Sequence, residues 1–414
     1  MRFLQLFLLT ILGIVSLVGC ASSDVFFFDR ATTIVQVNDD GSKSVKLYID
    51  AFGTPYPADG LPTSFTPPRF GGYDASLHNL ATGKAPLCQN NPIGETALLC
   101  AVDSLNDLQS YQSEVWENRA QEIFNQVGDD PSSSIVVFLV HGFNVLNSDE
   151  DFTVARQRIL DHSIHSGETV FVEVNWDGKK LKPGNRAWGN AQSSGPLIGF
   201  ELRQLFNHLT ALYAQSDRKI PPVKFVTHSS GAFVTGAIFG NPIAALPNLQ
   251  DALEDRDPSY EEFYAERFAE DGPNGIPKLP DLSIGMFAAA TSSLTFTGGT
   301  EYNRSGFLLN GAKIYSTINP DDSALKKIIF SPNIPILGAS GLGADISVFC
   351  NLPESFKGRT QATALDFLRD PDLGEDVRTH SFQQYMTQSQ SDDFFKLLLG
   401  SIENSEYELP CQSQ

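Results

Sequence analysis

The chain has 414 residues, with 49 acidic against 29 basic side chains and a formal net charge of −20. A surface of that sign repels a phosphate backbone, which argues against nucleic acid as a partner, and no polybasic cluster is present to meet anionic lipid. The length suits one large domain or two small ones.

The first element is not part of the fold. Arg2 supplies a positive start, Phe3 to Val18 is almost wholly apolar, and the run ends Leu17-Val18-Gly19-Cys20. This predicts an export signal over 1–19. A plain signal peptide or a short membrane helix would read similarly, although the run is somewhat short for a span. The Leu-Val-Gly-Cys ending resembles the lipobox of bacterial lipoproteins. That resemblance implies that Cys20 is acylated and becomes the mature N-terminus, with several acyl chains as a stable membrane anchor. Ala21 rather than Asp in the next position points, by the same resemblance, to the outer membrane of the bacterial envelope, facing the periplasm or the exterior. Residues 20–43 are then the lipidated cysteine and a tether, in which VFFFD at 25–29 is a short strand or a segment near the bilayer.

SVKLYIDAF at 44–52 alternates as a strand does. Residues 53–100 are rich in Gly and Pro and predict an irregular extension with long loops. Beyond Cys20 the chain has four cysteines, Cys88, Cys100, Cys350 and Cys411. An even number in an exported chain predicts two disulfides. Cys88 and Cys100 flank a short Asn-Pro-Ile-Gly turn and are paired on that ground, which leaves Cys350 with Cys411. The alternative, a zinc site, lacks both a C-x-x-C and a histidine at ligand spacing. Val115, Ala120, Ile123 and Phe124 share one face of a helix over about 108–127, closed by Asp129-Asp130-Pro131. Residues 44–130 are therefore read as an N-terminal extension carrying one disulfide.

From 131 the rhythm changes. SIVVFLVHGFN (134–144) is a continuous apolar run, as a strand buried on both faces requires. Ser148 and Asp151 suggest a capping box for a helix with Phe152, Ala155 and Ile159 on one face. TVFVEVNW (169–176) is a second buried strand, a long helix follows over about 191–215, and VKFVTHSS is a third strand running into the helix GAFVTGAIFG. LSIGMFAAA (282–290) and AKIYSTI (312–318) are the fourth and fifth strands. Strands separated by helices predict right-handed crossovers and an α/β fold with a mostly parallel, doubly wound sheet. The insertion 241–280, acidic with interleaved Tyr and Phe, is either a lid or a solvated helix.

In such a sheet the ligand site lies at the carboxyl ends of the strands. The residues there are His141-Gly142-Phe143-Asn144, His228-Ser229-Ser230-Gly231 and Asn319-Pro320-Asp321-Asp322. The HGFN loop, the H-S-x-G turn and the late Asp322-Ser323-Ala324-Leu325 (D-x-A-L) resemble the α/β-hydrolase superfamily over about residues 134–385. The turn departs from the family's G-x-S-x-G, because Thr227 stands where a small residue is the rule on a strained strand-to-helix turn. The resemblance implies Ser229 as nucleophile, with Gly231 two residues on. The other reading of the two serines is a helix cap. The family's chain order is Ser, acid, His, and of seven histidines only His380, in RTHSFQQYM, follows the turn. Asp322 is preferred to Asp321 as the acid because it opens the D-x-A-L segment.

The roles implied are attack by Ser229, proton transfer by His380, and orientation of His380 by Asp322. The backbone N–H groups of Phe143 and Ser230 form the oxyanion hole. His141 and Asn144 lock their loop. Trp176 is a core residue or a wall of the acyl pocket. No metal or organic cofactor is implied, and the partner is a small-molecule or lipid acyl substrate. The competing expectation is a non-catalytic binding or scaffold lipoprotein on the same fold, its turn impaired by Thr227.

Overall fold

A computed structural model describes residues 34–59, 76–82, 88–89, 91–142, 149–176, 184–240, 262–264, 266–267, 275, 277–291, 296, 311–322, 325, 341–356, 358–367 and 380–411. Residues 1–19, Cys20, the segment 25–29, Phe143, Asn144, Ser148 and most of 241–280 lie outside the described residues.

The strands are β1 (Val35–Val37), β2 (Lys43–Ile49), β3 (Ile135–Val140), β4 (Thr169–Trp176), β5 (Val223–His228), β6 (Leu282–Phe287), β7 (Lys313–Ile318), β8 (Gln361–Asp366) and β9 (Glu408–Leu409). They form one nine-stranded sheet in the order β1-β2-β4-β3-β5-β6-β7-β8-β9. Every neighbouring pair from β2 to β8 is parallel, and the edge strands β1 and β9 pair antiparallel. The helices among the described residues are α1 (Leu77–Thr82), α2 (Gly94–Cys100), α3 (Leu105–Gln126), α4 (Asp149–His162), α5 (Gly184–Gln215), α6 (Gly231–Phe239), α7 (Ile346–Phe356), α8 (Phe382–Thr387) and α9 (Gln390–Leu399). This mixed α/β architecture with a mostly parallel sheet is compatible with an α/β-hydrolase fold. None of these helices is long and apolar enough to cross a membrane.

Side chains alternate across a strand, and both faces of this sheet are covered. In β3, Val136, Phe138 and Val140 join the core that contains Trp116 of α3, Leu202 and Phe206 of α5 and Ile238 of α6. Ile135, Val137 and Leu139 point the other way, to Phe152 and Ile159 of α4, Tyr385 of α8 and Phe394 of α9. That is why β3 reads as an unbroken apolar run. The aromatic centre of the first core is tight. The Phe138 ring lies 4.8 Å from both Phe206 and Phe225, and removing such a side chain costs roughly 3–5 kcal/mol.

The five strands expected between 134 and 318 are all present. β1, β8 and β9 were not anticipated. β2 is not confined to an extension either: it runs parallel to β4, with Val45 opposite Val172 and Ile49 opposite Trp176. Residues that precede 131 thus share a sheet with those that follow it. α3 opens with Ser104, whose hydroxyl accepts from Asp107 N–H at 3.2 Å. Arg119 on α3 forms a buried two-bond ion pair with Glu95 on α2, at 2.6 and 3.1 Å. Disulfides join Cys88 to Cys100 and Cys350 to Cys411.

The strand order sets the position of the site. The chain moves from β3 outwards to β4, then returns past β3 to β5 and continues the opposite way. The carboxyl ends of β3 and β5 therefore lie side by side at the point where the winding reverses, the usual crevice of an open α/β sheet. His141-Gly142 and His228-Ser229 follow those two ends directly.

Candidate active site

β5 keeps its strand pairing through His228, opposite Phe287 of β6. At Ser229 the backbone turns into the left-handed region, with φ 54°. A non-glycine residue there costs on the order of 1–2 kcal/mol and needs outside support. That support comes from three backbone bonds. Ser229 N–H donates to Phe287 O at 2.9 Å, while Ala290 and Ala232 N–H donate to Ser229 O at 3.1 and 3.2 Å. α6 begins two residues later, and Ser230 makes no side-chain cap to it. The helix-cap reading of the two serines therefore does not describe this turn, which is a sharp strand-to-helix elbow with the serine at its apex.

Two glycines permit the elbow. A Cβ on Gly231 would lie 2.6 Å from Val140 O and 2.8 Å from His141 O, so α6 can approach β3 only without one. A Cβ on Gly142 would lie 2.9 Å from Ser229 Cβ, so the loop after β3 passes directly over the serine. Thr227, which stands at the first position of a G-x-S-x-G-like turn, stays inside β5 opposite Met286 and Val140 and is fully buried. Its hydroxyl has no hydrogen-bond partner, but its bulk does not break the strand or the turn.

Ser229, Asp322 and His380 converge. Ser229 Oγ lies 2.7 Å from His380 Nε2. His380 Nδ1 lies 2.9 Å from both Oδ1 and Oδ2 of Asp322. With the proton on Nδ1, the imidazole donates to the carboxylate and offers its Nε2 lone pair to the serine hydroxyl. Asp322 is 0% exposed, whereas the His380 side chain keeps 19% of its surface. Asp321 does not share this position: its N–H donates to Asn319 Oδ1 at 3.0 Å, while Asp322 N–H donates to Asn319 O at 3.2 Å.

Further residues complete the setting, and of these Tyr385 and Phe382 were given no role by the sequence. Leu325 N–H donates to Asp322 Oδ1 at 3.1 Å, and the Tyr385 hydroxyl donates to Asp322 Oδ2 at 2.7 Å. The His228 ring lies 4.9 Å from that of His380 and stacks on Phe382 at 5.0 Å. Burial pushes the His228 imidazole well below its usual pKa, and the neighbouring His380 adds to the effect. His228 is therefore a neutral ring, and it does not oppose a positive charge forming on His380.

The loop after β3 is locked from the side. Trp176 N–H donates to His141 Nε2 at 3.1 Å, and the Trp176 indole N–H donates to His141 O at 2.9 Å. His141 Nδ1 then donates to Gly142 O. The rings of His141 and Trp176 stack at 5.5 Å. Burial pushes His141 down to about pKa 4, so it serves this scaffold as a neutral ring. Trp176 is 1% exposed and belongs to the core. Of the two expected oxyanion donors, Ser230 stands at the start of α6, where the helix end favours negative charge. Phe143 lies outside the described residues.

Part of the insertion is held down. Tyr264 is fully buried and donates its hydroxyl to Phe52 O at 2.6 Å, and Arg267 forms a two-bond ion pair with buried Glu201 of α5. Among the described residues, no group of three or more His, Cys, Asp or Glu side chains converges as a metal site would require. No protein-family model matches the chain, and no curated protein matches it in sequence.

Proposed function

We propose that the chain is a serine hydrolase of the α/β-hydrolase type that cleaves an acyl bond, most readily an ester, in two steps. The observation that carries this reading is the hydrogen-bonded series Ser229–His380–Asp322 with the serine on a left-handed turn between a buried strand and a helix. Ser229 Oγ attacks the acyl carbon while its proton passes to His380 Nε2. Asp322 holds the tautomer and stabilises the imidazolium. The oxyanion is met by backbone N–H groups of Ser230 and Phe143. Collapse expels the alcohol, which takes the proton from His380. Water then attacks the acyl-enzyme with His380 again as base, releasing the acid and free Ser229. None of these steps requires a cofactor.

Two parts of the proposal rest on sequence alone. Acylation of Cys20 anchors the protein in the bacterial envelope, and the acidic surface leaves that anchor as its means of membrane attachment. The alternative is a non-catalytic scaffold on the same fold; that Thr227 keeps its pairing within β5 supports the catalytic reading over it.

A fluorophosphonate probe tests the reading. The wild-type protein should be labelled at Ser229 and Ser229→Ala should not. Absence of labelling in folded wild-type protein would refute the hydrolase assignment.

A further inference from the structure

His380 stands in a segment with no local catalytic signature, so something other than its own sequence must seat it. The residues that follow it do so at two strand ends. Phe382 stacks on His228, the last residue of β5. Tyr385, in α8, reaches Asp322 beyond β7. One short segment thus touches the residue preceding the nucleophile and the carboxylate that faces the base.

Tyr385 has little freedom in this arrangement. It is 0% exposed, its ring lies 5.8 Å from Phe367 and 6.4 Å from Phe287, and its N–H donates to Ser381 O at 3.1 Å. The Asp322 carboxylate, by contrast, has a freedom that must be removed. His380 Nδ1 is equidistant from its two oxygens, so this contact alone does not fix the carboxylate plane. Each oxygen has a donor of its own from a different element: Leu325 N–H on Oδ1 and Tyr385 Oη–H on Oδ2. The two together set the plane, and the plane sets the direction in which His380 Nε2 points.

We infer that Tyr385 is a positioning residue for the hydrolysis proposed above: it orients Asp322, and through Asp322 it orients His380 and moderates the negative charge that His380 faces. This rests on Ser229, His380 and Asp322 being the reacting series. Burial and the adjacent carboxylate hold the Tyr385 phenol well above its usual pKa, so it remains a donor throughout the working range. The sign of its electrostatic effect follows. A hydroxyl bonded to Oδ2 draws charge from the carboxylate. Without it, more charge faces His380, imidazolium is stabilised, and the acid limb of the activity profile moves to higher pH. The loosened carboxylate also lowers the fraction of molecules in which Nε2 meets Ser229.

The test uses the rate of fluorophosphonate labelling of the purified full chain as a function of pH, so no natural substrate is needed. Tyr385→Phe should react about tenfold more slowly and show its acid limb at higher pH, with a melting temperature within a few degrees of wild type. In an Asp322→Asn background the same change should cost less than about twofold, because its route of action is gone. Site-specific 3-fluorotyrosine at 385 keeps the shape and strengthens the donor, so it should move the acid limb to lower pH even if Tyr385→Phe folds poorly. Wild-type rate and acid limb in Tyr385→Phe, or an equal loss in the Asp322→Asn background, overturns the role of Tyr385 alone. A folded wild type that takes no label overturns the hydrolase reading and this inference with it.

Discussion

Ser229 Oγ and His380 Nε2 lie 2.7 Å apart although 151 residues separate them in the chain. Each side of this contact is held independently of the other. The serine is fixed by backbone bonds to Phe287 and Ala290 at the end of β6, and the histidine by Asp322 beyond β7. For the proposed hydrolysis this means that the pair is set before a substrate binds, which is the condition under which fixed groups lower a barrier without reorganising.

His380→Ala should therefore lower kcat on a 4-nitrophenyl ester by roughly three to four orders of magnitude, with little change in KM or melting temperature. Asp322→Asn should cost a large factor as well. Asp321→Asn should cost little, because the carboxylate that meets His380 Nδ1 is that of Asp322, while the Asp321 N–H is engaged by Asn319. Steady-state kinetics of the three variants decides this. An Asp321→Asn variant as damaged as Asp322→Asn contradicts the geometry.

The loop above the serine makes a second prediction. A Cβ at Gly142 would lie 2.9 Å from Ser229 Cβ and 3.1 Å from His228 O. Neither neighbour can move without distorting the elbow. Gly142→Ala should slow labelling of Ser229 at least about a hundredfold, with an overpacking cost of roughly 1–3 kcal/mol. Gly128→Ala is the control, since its Cβ would meet only Glu168 Cγ at an ordinary 3.8 Å. Equal labelling rates in the two variants would show that the loop does not press on the serine.

What was legible in the sequence follows from burial. β3 is buried at all six positions and reads as a strand without ambiguity. β8, Gln361–Asp366, is buried only at Ala364 and Leu365, and β1 and β9 are three and two residues long, so their sequences carry no usable period. β2 alternates, but its pairing with β4 joins segments far apart in the chain, and no local pattern announces that. At the site, Ser229 was marked by the strand before it and the glycine after it. His380 was marked only by chain order. Choosing between Asp321 and Asp322 needs the turn itself, in which Asn319 takes one N–H on its side chain and the other on its backbone. Tyr385 was invisible because a tyrosine on the apolar face of a helix reads as core. Its hydroxyl reaches across 63 residues to Asp322.

The disulfides should separate stability from chemistry. Cys350–Cys411 closes a separation of 61 residues, worth roughly 4 kcal/mol of unfolded-state entropy, and Cys88–Cys100 closes 12, worth roughly 3 kcal/mol. β9 pairs with β8 through only two residues on each strand, so the first bridge also holds that edge. α8 reaches the last residue of β5 and Asp322 beyond β7. Replacing Cys350 and Cys411 by serine should lower the melting temperature by several degrees and expose the C-terminus to proteolysis. Labelling of Ser229 at 25 °C should persist. Loss of labelling in a protein that is still folded would show that the bridge supports the site directly.

The last prediction concerns Asp50, which stands just beyond β2 and is buried. Its Oδ1 accepts from Phe52 and Thr54 N–H at 2.9 and 2.8 Å, and its Oδ2 from Leu77 N–H at 3.0 Å. Burial nevertheless outweighs these three donors, and the neighbouring Glu201 adds to the effect, so the pKa rises from 3.8 to about 6. A carboxyl group raised on folding stabilises the fold fully below its unfolded pKa. That contribution is lost as pH rises through the folded value. The window is therefore pH 4 to 6, and the loss across it is roughly 3 kcal/mol. Asp50→Asn has no charge to gain. Its unfolding free energy from urea titration should be lower than wild type at pH 4, because its amide faces the Leu77 N–H with a donor where the carboxyl oxygen accepted. By pH 7 the deficit should shrink or reverse. A difference between the two proteins that stays constant from pH 4 to 7 would show that Asp50 ionises in the folded protein as readily as in the unfolded chain. The three backbone donors would then outweigh burial.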